Sequence, residues 1–495
     1  MRKNKIIIVG AGIGGLASAL QLSHRGYDVE IFDTHSLPGG KMRVIDSPSG
    51  PIDGGPTVFT LKHIFERLFL DVNELLDEHL ALVHEPILAR HYWPDGTTLD
   101  LSSEPDKNYS ALHDFAGPKA VTEFKKFNAL TKNLYNSFDL PILQTPNPSI
   151  PTTVRATSSQ VFKLMSALIP GRTLSHLVKS HFTDARLCQL FSRYATYVGG
   201  SPFDSPAILS LIWYAESLGV WRVKGGMHKL ALKIKELAEK RGATFNFNKT
   251  VSQILVTKGE VKGIVLDDGK EILADHIIFN GDPNAIFTNL LGKDAAQGIS
   301  KKNVTGRSLS AYVWTFAAKP TIKDLAHHNV FFNRDYKSEF DDIARGEMPS
   351  DPTLYVCAQQ PEESKGLINA SKFEIIMNAP PSSKSTPSKE EEFKLCQKRT
   401  FENLKKMGLI FNPMPSMEAL TTPKEFNDLF PGSNGSLYGL NPHQFMTTFK
   451  RPQAQTKIRG LYLAGGGVHP GPGIPMALLS GRHAAAAIEK DQTST

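Results

Sequence analysis

The sequence predicts an α/β chain in which a parallel sheet is assembled from separated pieces, with an α+β domain inserted between them. Three observations carry this expectation. A short strand at Ile6–Val9 runs into Gly10-Ala11-Gly12-Ile13-Gly14-Gly15 and then a helical segment, Leu16 to Arg25. A second strand–glycine–helix run closes the chain, with Gly460–Ala464, a loop holding five glycines and two prolines, and Ile474–Ile488. Between them lie short β-branched runs and helical patterns with apolar residues near 3.6-residue spacing.

The opening unit has a physical logic. Gly10 permits the tight turn, Gly12 lets backbone approach a pyrophosphate, and Gly15 lets the helix pack close to the strand. The helix start then offers N–H groups and a positive dipole end to phosphates. Tyr27–Phe32 makes a second strand ending at Asp33, 23 residues beyond Gly10, where a carboxylate accepts hydrogen bonds from a ribose. This order predicts a Rossmann-like dinucleotide site, and an Asp at that place argues against a 2′-phosphate. FAD and NAD both remain open at this point. The next stretch favours FAD: in Pro38-Gly39-Gly40-Lys41-Met42-Arg43 and Ile52-Asp53-Gly54-Gly55-Pro56-Thr57, two glycine pairs bring bare backbone near something bulky. Lys41 and Arg43 are placed to meet phosphate or flavin carbonyls.

Composition excludes several classes. Of 495 residues, 40% are hydrophobic and 21% charged, enough for sizeable cores and unlike a disordered chain. With 56 Lys and Arg against 49 Asp and Glu, the net charge is only +7, and no reading motif accompanies it, so nucleic acid is not an expected partner. Cys188, Cys357 and Cys396 are odd in number and far apart. They give neither a disulfide framework nor a metal-ligand spacing, and a cytoplasmic location is expected. No apolar run reaches the roughly 18 residues of a membrane span. The basic and apolar N-terminus imitates a signal peptide, but its glycine spacing has the nucleotide explanation.

Along the middle of the chain, His84–Trp93 and Thr97–Leu101 flank Pro94-Asp95-Gly96 and read as a hairpin. From Ser110 to Ser217 the pattern is helical, interrupted by a proline-rich loop from Pro141 to Pro151. Trp221 leads through Gly225-Gly226 into a helix that Gly242 closes. Ala243–Asn248, Val251–Thr257, Val261–Asp267 and Ile272–Asn280 read as strands, and so do Ser308–Ala318, Asn329–Asn333, Thr353–Gln359 and Lys372–Ala379. Polar Pro380–Lys389 reads as a surface loop, and Glu390–Met407 as an amphipathic helix. The expected layout is a cofactor domain from residues 1–70, 219–290 and 452–490, and a substrate domain from 71–218 and 291–451. Its helical part, 110–217, is a candidate membrane-facing element. Within it, apolar Phe162, Leu164, Met165, Leu168 and Ile169 alternate with Lys163, Arg172, Lys179, Arg186 and Arg193, a mix suited to an interfacial helix or to a cap with solvated bases.

The GAGIGG-to-Asp33 unit, PGGKMR, DGGPTVF and the C-terminal GLYLAGGGVHPGPGIPMALLSG resemble the phytoene-desaturase family of FAD-dependent carotenoid oxidoreductases. DGGPTVFT, SLYG, FKRP and HPGPGIPMA are most similar to its 1-hydroxycarotenoid 3,4-desaturase (methoxyneurosporene dehydrogenase) branch. The resemblance implies an amine-oxidase-type fold and FAD held by Gly10, Gly12, Ile13, Gly14, Gly15, Asp33, Gly40, Lys41, Arg43, Gly55, Pro56 and Thr57. It adds Val251 beside the adenine, Asp282 in the following loop, and Gly466, Gly473, Ile474, Pro475 and Met476 at the flavin ring. It also implies a carotenoid substrate, oxygen or a quinone as electron acceptor, and peripheral attachment to the inner face of a membrane.

Hydride loss from an allylic carbon leaves a cation spread along the polyene, so a weak base suffices for the neighbouring proton. This suits a sequence with no Ser-His-Asp order, no CxxC and no HExxH. Arg90, His91 and His469 are candidate orienting groups, although residues of these types more often serve structure. Phytoene or other polyene desaturation fits the same motifs. A non-catalytic isoprenoid escort similar to GDP-dissociation inhibitors is disfavoured by the intact glycines and Asp33. A flavin amine oxidase is disfavoured by the lack of a cysteine in the C-terminal motif.

Overall fold

The computed structural model describes residues 4–47, 49–149, 167–359, 370–382, 388–443 and 447–493. The part of the candidate interfacial stretch at 161–166, and 383–387 of the expected surface loop, lie outside the described residues. Five parallel strands form the first sheet in the order Leu461–Leu463, His276–Phe279, Lys5–Val9, Asp28–Asp33 and Thr244–Phe247. Strands from both ends and the middle of the chain are therefore neighbours. Ile6, Ile7 and Ile8 are fully buried, as a strand covered on both faces requires. One face carries the N-terminal helix Ile13–His24, the helix His228–Glu239 and the C-terminal helix Ile474–Thr493. The other packs on a three-stranded antiparallel sheet of Val251–Thr257, Glu260–Leu266 and Glu271–Leu273.

The expected single strand Ile272–Asn280 is two strands in two sheets. Glu271–Leu273 ends the antiparallel sheet and His276–Phe279 enters the parallel one. Between them the Asp275 carboxylate accepts from the Lys5 backbone N–H at 2.7 Å, and the Asp275 N–H donates to the Lys5 carbonyl. This polar clasp turns the chain from one layer to the other.

The second large sheet is mixed and eight-stranded. Along its main path lie Phe411–Asn412, Ser310–Pro320, Ser371–Ala379, Leu354–Gln359, His328–Phe331, Ala89–Tyr92 and Thr98–Leu101. The parallel pairing of His328–Phe331 with Ala89–Tyr92 joins the early hairpin to the late strands. Leu354, Val356, Ile375 and Met377 face a core closed by the helix Lys389–Lys406. That helix begins with a capping box between Ser388 and Glu391.

The helical part opens with Pro105–Phe138, kinked where Gly117 takes φ 82° ahead of Pro118. Phe124, Phe127, Leu130 and Leu134 are buried, as their spacing predicts. Two of the bases expected on a solvated face are engaged instead. Arg186 pairs with Asp184 at 2.7 Å, and Arg193 is only 6% exposed, on the wall of an internal cavity. The reason is aromatic: Phe182, Phe191 and Tyr194 pull this segment into a buried cluster, so its alternation serves core packing. Among the described residues, no helix is long and apolar enough to cross a membrane.

The terminal helices cross with backbone against backbone. A Cβ on Gly481 would lie 2.0 Å from the Gly14 carbonyl oxygen, and the Ser18 hydroxyl donates to the Gly481 carbonyl at 2.9 Å. Gly481→Ala is expected to force the helices apart and destabilise the protein by about 1–3 kcal/mol, the usual range for overpacking. Urea unfolding followed by circular dichroism measures it, and an unchanged midpoint contradicts the assignment.

Candidate functional site: a nucleotide cradle opening on an apolar cavity

The glycine turn is built as its spacing requires. Gly10 takes φ +101° and donates to the Phe32 carbonyl at 2.8 Å, tying the turn to the second strand. A Cβ on Gly15 would lie 2.2 Å from the Gly10 carbonyl oxygen, which is the close helix–strand approach. The N-terminal helix starts at Gly12 with no side-chain cap and no acidic residue in its first turn, leaving its first N–H groups for an anion. The Asp33 carboxylate accepts from the Ala11 N–H at 2.6 Å and the His35 N–H at 2.8 Å, which fixes it at the end of its strand. Lys249 donates to the Asp33 carbonyl, so the segment leading into Val251 lies against the same strand end.

Sequence reasoning did not single out Asn280. Its Nδ2 donates to the Gly10 carbonyl at 3.2 Å, while its buried Oδ1 has no partner among the described residues. A Cβ on Gly12 would come within 2.8 Å of Asn280 Nδ2, and one on Gly14 within 2.7 Å of Oδ1. Asn280 thus sits under the glycine turn as its floor.

The two glycine-pair loops meet each other. A Cβ on Gly55 would lie 1.9 Å from the Lys41 carbonyl oxygen, and one on Gly40 would lie 3.1 Å from the Gly12 Cα. The bare backbone is therefore needed for loop-to-loop packing. Asp53 accepts from the Met227 N–H at 2.7 Å, and its backbone is bracketed by the Gln359 amide. Arg43 Nε donates to the Gly54 carbonyl at 3.0 Å, and its guanidinium covers the Phe426 ring.

Three cations, Arg451 buried and Lys41 and Arg307 half-buried, gather around one carboxylate. Asp282 caps the helix Pro283–Phe287 and pairs with Arg307, while Lys41 and Arg451 lie close enough to feel both charges. Burial pushes the Lys41 ammonium down to about 8 and the Arg451 guanidinium down to about 10, against the pull of Asp282. Buried cations in excess of carboxylates require an anion. Together with the uncapped helix and the glycine cradle, the cluster fits the pyrophosphate and electron-rich ring of FAD. Lys41, Arg43, Asp33 and the Gly12–Gly15 backbone are the groups that would hold it.

Arg451, from the FKRP run, also organises the C-terminal loop. It donates to the carbonyls of Tyr438 (3.0 Å), Leu440 (2.8 Å) and Gly466 (3.3 Å), clamping the SLYG and GGG segments together. The sequence marked it as part of the FKRP motif but gave it no role. Gly473 takes φ +100°, and a Cβ there would meet nothing nearer than 4.0 Å, so open space adjoins the start of the C-terminal helix.

That space belongs to a cavity of about 520 Å³. Gly55, Pro56, Thr57 and the run Gly471–Met476 line it together with Val330, Tyr355 and Ile376 of the mixed sheet. Phe138, Leu143, Leu168, Ile208 and Ile212 extend its apolar wall into the helical part. The Thr57 and Tyr355 hydroxyls share a 2.8 Å hydrogen bond, and Tyr355 continues to His328 Nδ1 at 2.6 Å. Glu374 lies fully buried beside Thr57, Arg43 and Asp53, and burial pushes its carboxyl well up. Strand register, which sets Glu374 opposite Cys357, brings these groups together and was not legible in the sequence.

The three orienting candidates lie off this wall. Arg90 is held by Asp100 at 2.7 Å and by Asp324. His91 stacks on Phe332, donates from Nδ1 to the Leu99 carbonyl at 3.1 Å, and is pushed down to about 3 by burial. His469 stacks on His483, and its Nε2 meets the Thr145 carbonyl at 2.9 Å and the Ile142 carbonyl at 3.1 Å. It fastens the turn after Phe138 to the glycine loop.

A side chain at Gly12 would press on Asn280 Nδ2 and displace the turn whose backbone N–H groups face the phosphates. Gly12→Val is expected to weaken FAD binding at least about tenfold in a folded protein. Flavin absorbance per polypeptide after gel filtration reads this, and full flavin content contradicts it.

A family profile of flavin-containing amine oxidoreductases matches residues 13–309. The chain is 46% identical over 493 residues to the hydroxyneurosporene desaturase of Cereibacter sphaeroides, covering 99% of this chain and 98% of that one. It is 44% identical to the enzyme of the same name from Rhodobacter capsulatus, over 99% and 98% of the two chains. A 1-hydroxycarotenoid 3,4-desaturase of Flavobacterium sp. is 30% identical, with 97% of each chain covered. Among solved structures, an oxidoreductase from Methanosarcina mazei superposes with TM-score 0.62 at 16% identity, covering 98% of this chain and 100% of that one. A putrescine oxidase variant does so with TM-score 0.62 at 12% identity over 99% of each, and both likenesses speak to the fold. The chain belongs to the flavin-containing amine oxidoreductase family, on its carotenoid-oxidoreductase branch, and is an FAD-dependent oxidoreductase.

Proposed function

We propose that the protein is a carotenoid desaturase that introduces a C3–C4 double bond into an acyclic 1-hydroxycarotenoid. The observation that carries this reading is the apolar cavity running from the helical part to the glycine loop at the C-terminal helix. A long hydrocarbon suits such walls, and the full-length relatives bear desaturase names. FAD, when bound, supplies a hydride acceptor.

The chain's own residues do the rest. The apolar walls hold the polyene away from water, and the N-terminus of the C-terminal helix reaches the cavity through Gly473–Met476. Its N–H groups and dipole favour negative charge developing there. The carbon left cationic makes its neighbour acidic, so a weak acceptor suffices. The Tyr355 hydroxyl can take that proton as it passes its own to His328 Nδ1. Burial pushes the His328 imidazole well below its usual range, so it is neutral and a weak base, which is all that a proton beside a polyene cation asks for.

Membrane attachment belongs to the same reading, since carotenoids reside in lipid. Leu140 and Ile169 are 67% and 47% exposed, and they adjoin Leu143 and Leu168 of the cavity wall. Apolar side chains at a cavity end suit entry from a bilayer.

Incubating FAD-loaded protein and liposomes with a 1-hydroxylated acyclic carotenoid is expected to shift the visible bands to longer wavelength by one conjugated double bond. An unchanged spectrum contradicts the desaturase reading, and equal conversion of phytoene favours the broader polyene desaturase. In flotation assays the protein is expected to rise with anionic liposomes. Its absence from the lipid fraction at low salt contradicts the membrane reading.

A further inference from the structure

Resting on the desaturase reading above, we propose that Arg193 and Tyr336 form a subsite that recognises an oxygen substituent at the end of the polyene. They thereby select hydroxylated over unsubstituted carotenoids. Both line the cavity that is otherwise mainly apolar. Arg193 comes from the turn Arg193–Val198, and Tyr336 from the first residue of the helix Tyr336–Ala344, so two distant segments converge here.

The charge on Arg193 is already offset. Its Nη2 donates to the Tyr197 hydroxyl at 3.4 Å, and Tyr197 and Tyr194 both donate to the buried Glu216 carboxylate, the latter at 2.9 Å. Arg193 Nε, however, has no partner among the described residues, and neither has the buried Tyr336 hydroxyl. The nearby Glu339 carboxylate is taken by Asn378 at 2.9 Å and the Thr353 N–H at 3.0 Å. A buried donor left unpaired costs about 1–3 kcal/mol. Two of them on one cavity wall indicate a ligand with a polar atom at that place.

The donor and acceptor inventory narrows the ligand. A guanidinium N–H only donates, whereas a tyrosine hydroxyl donates or accepts. The oxygen of an alcohol or an ether has two lone pairs and can accept from both Arg193 Nε and the Tyr336 hydroxyl, whereas a hydrocarbon leaves both donors unpaired. A carboxylate is disfavoured because Glu216 already balances the arginine.

The position agrees with the chemistry. In a 1-hydroxycarotenoid the oxygen-bearing carbon lies two bonds from C3, so the group that binds the hydroxyl must stand close to the reacting carbons. Arg193, Tyr197 and Tyr336 share the cavity with Gly55, Thr57 and Tyr355 of the cofactor side.

The test compares kcat/KM and equilibrium binding of FAD-loaded wild type and Tyr336→Phe for a 1-hydroxy, a 1-methoxy and an unsubstituted carotenoid of equal length. Removing a hydroxyl with no protein partner should leave the melting temperature undiminished. Wild type is expected to prefer the oxygenated compounds over the unsubstituted one about a hundredfold or more. The variant is expected to lose about tenfold of that preference. Arg193→Lys, which keeps the charge but moves the donor, is the second variant and should lower the same ratio. An unchanged ratio in both variants, or wild-type affinity independent of the oxygen substituent, overturns the subsite while leaving the desaturase reading intact. Conversion of none of the three compounds by wild type overturns both.

Discussion

The close crossing of the N- and C-terminal helices is the constraint on which the site depends. Gly14 and Gly481 let two helices meet with carbonyl against Cα, a distance that any side chain would prevent. The Ser18 hydroxyl then lies within hydrogen-bond distance of both the Gly14 and Gly481 carbonyls, its one proton shared between them. Because of this joint, two helix N-termini from opposite ends of the sequence flank one strand edge. One begins at the glycine turn for a pyrophosphate, and the other begins at the cavity. A few ångströms of separation here would detune both, since dipole effects fall off within the first turn.

The second requirement is electrostatic. Lys41, Arg307 and Arg451 are brought together by three loops distant in sequence, around Asp282 alone. In a protein without an anionic ligand this cluster would oppose folding. With a dinucleotide bound, the same charges become mutually supporting. Cofactor binding and the closing of the Arg451-clamped loops are thus one event energetically.

Legibility in the sequence divides along the same line. The glycine turn, Asp33 and the C-terminal glycine loop were readable because they are local: consecutive residues whose backbone needs fix their identities. The DGGP pair was readable as a close approach, but its partner, the Lys41 carbonyl, was not. Asn280, Arg451 and Glu374 were not singled out as site residues, since each acts through a residue 15 or more positions away or through strand register. Arg193 shows the same limit from the other side. Its alternating neighbourhood suggested a wet face, and only the packing of Phe182, Phe191 and Tyr194 places it at the cavity.

The mixed sheet explains how one scaffold separates stability from selectivity. Along Ser371–Ala379 and Leu354–Gln359, Leu354, Val356, Ile375 and Met377 enter the core beneath the helix Lys389–Lys406. Their neighbours Thr353, Tyr355, Ile376 and Asn378 line the cavity. Strand alternation puts these two sets on opposite faces. A cavity residue can therefore change without disturbing the core behind it, whereas every residue of the nucleotide cradle touches backbone from another segment. Chemistry common to the family belongs in the cradle, where change is costly. The free face of the sheet and the helical part carry the side chains that a substrate would meet, and they bring Tyr355 and Arg193 to the same cavity.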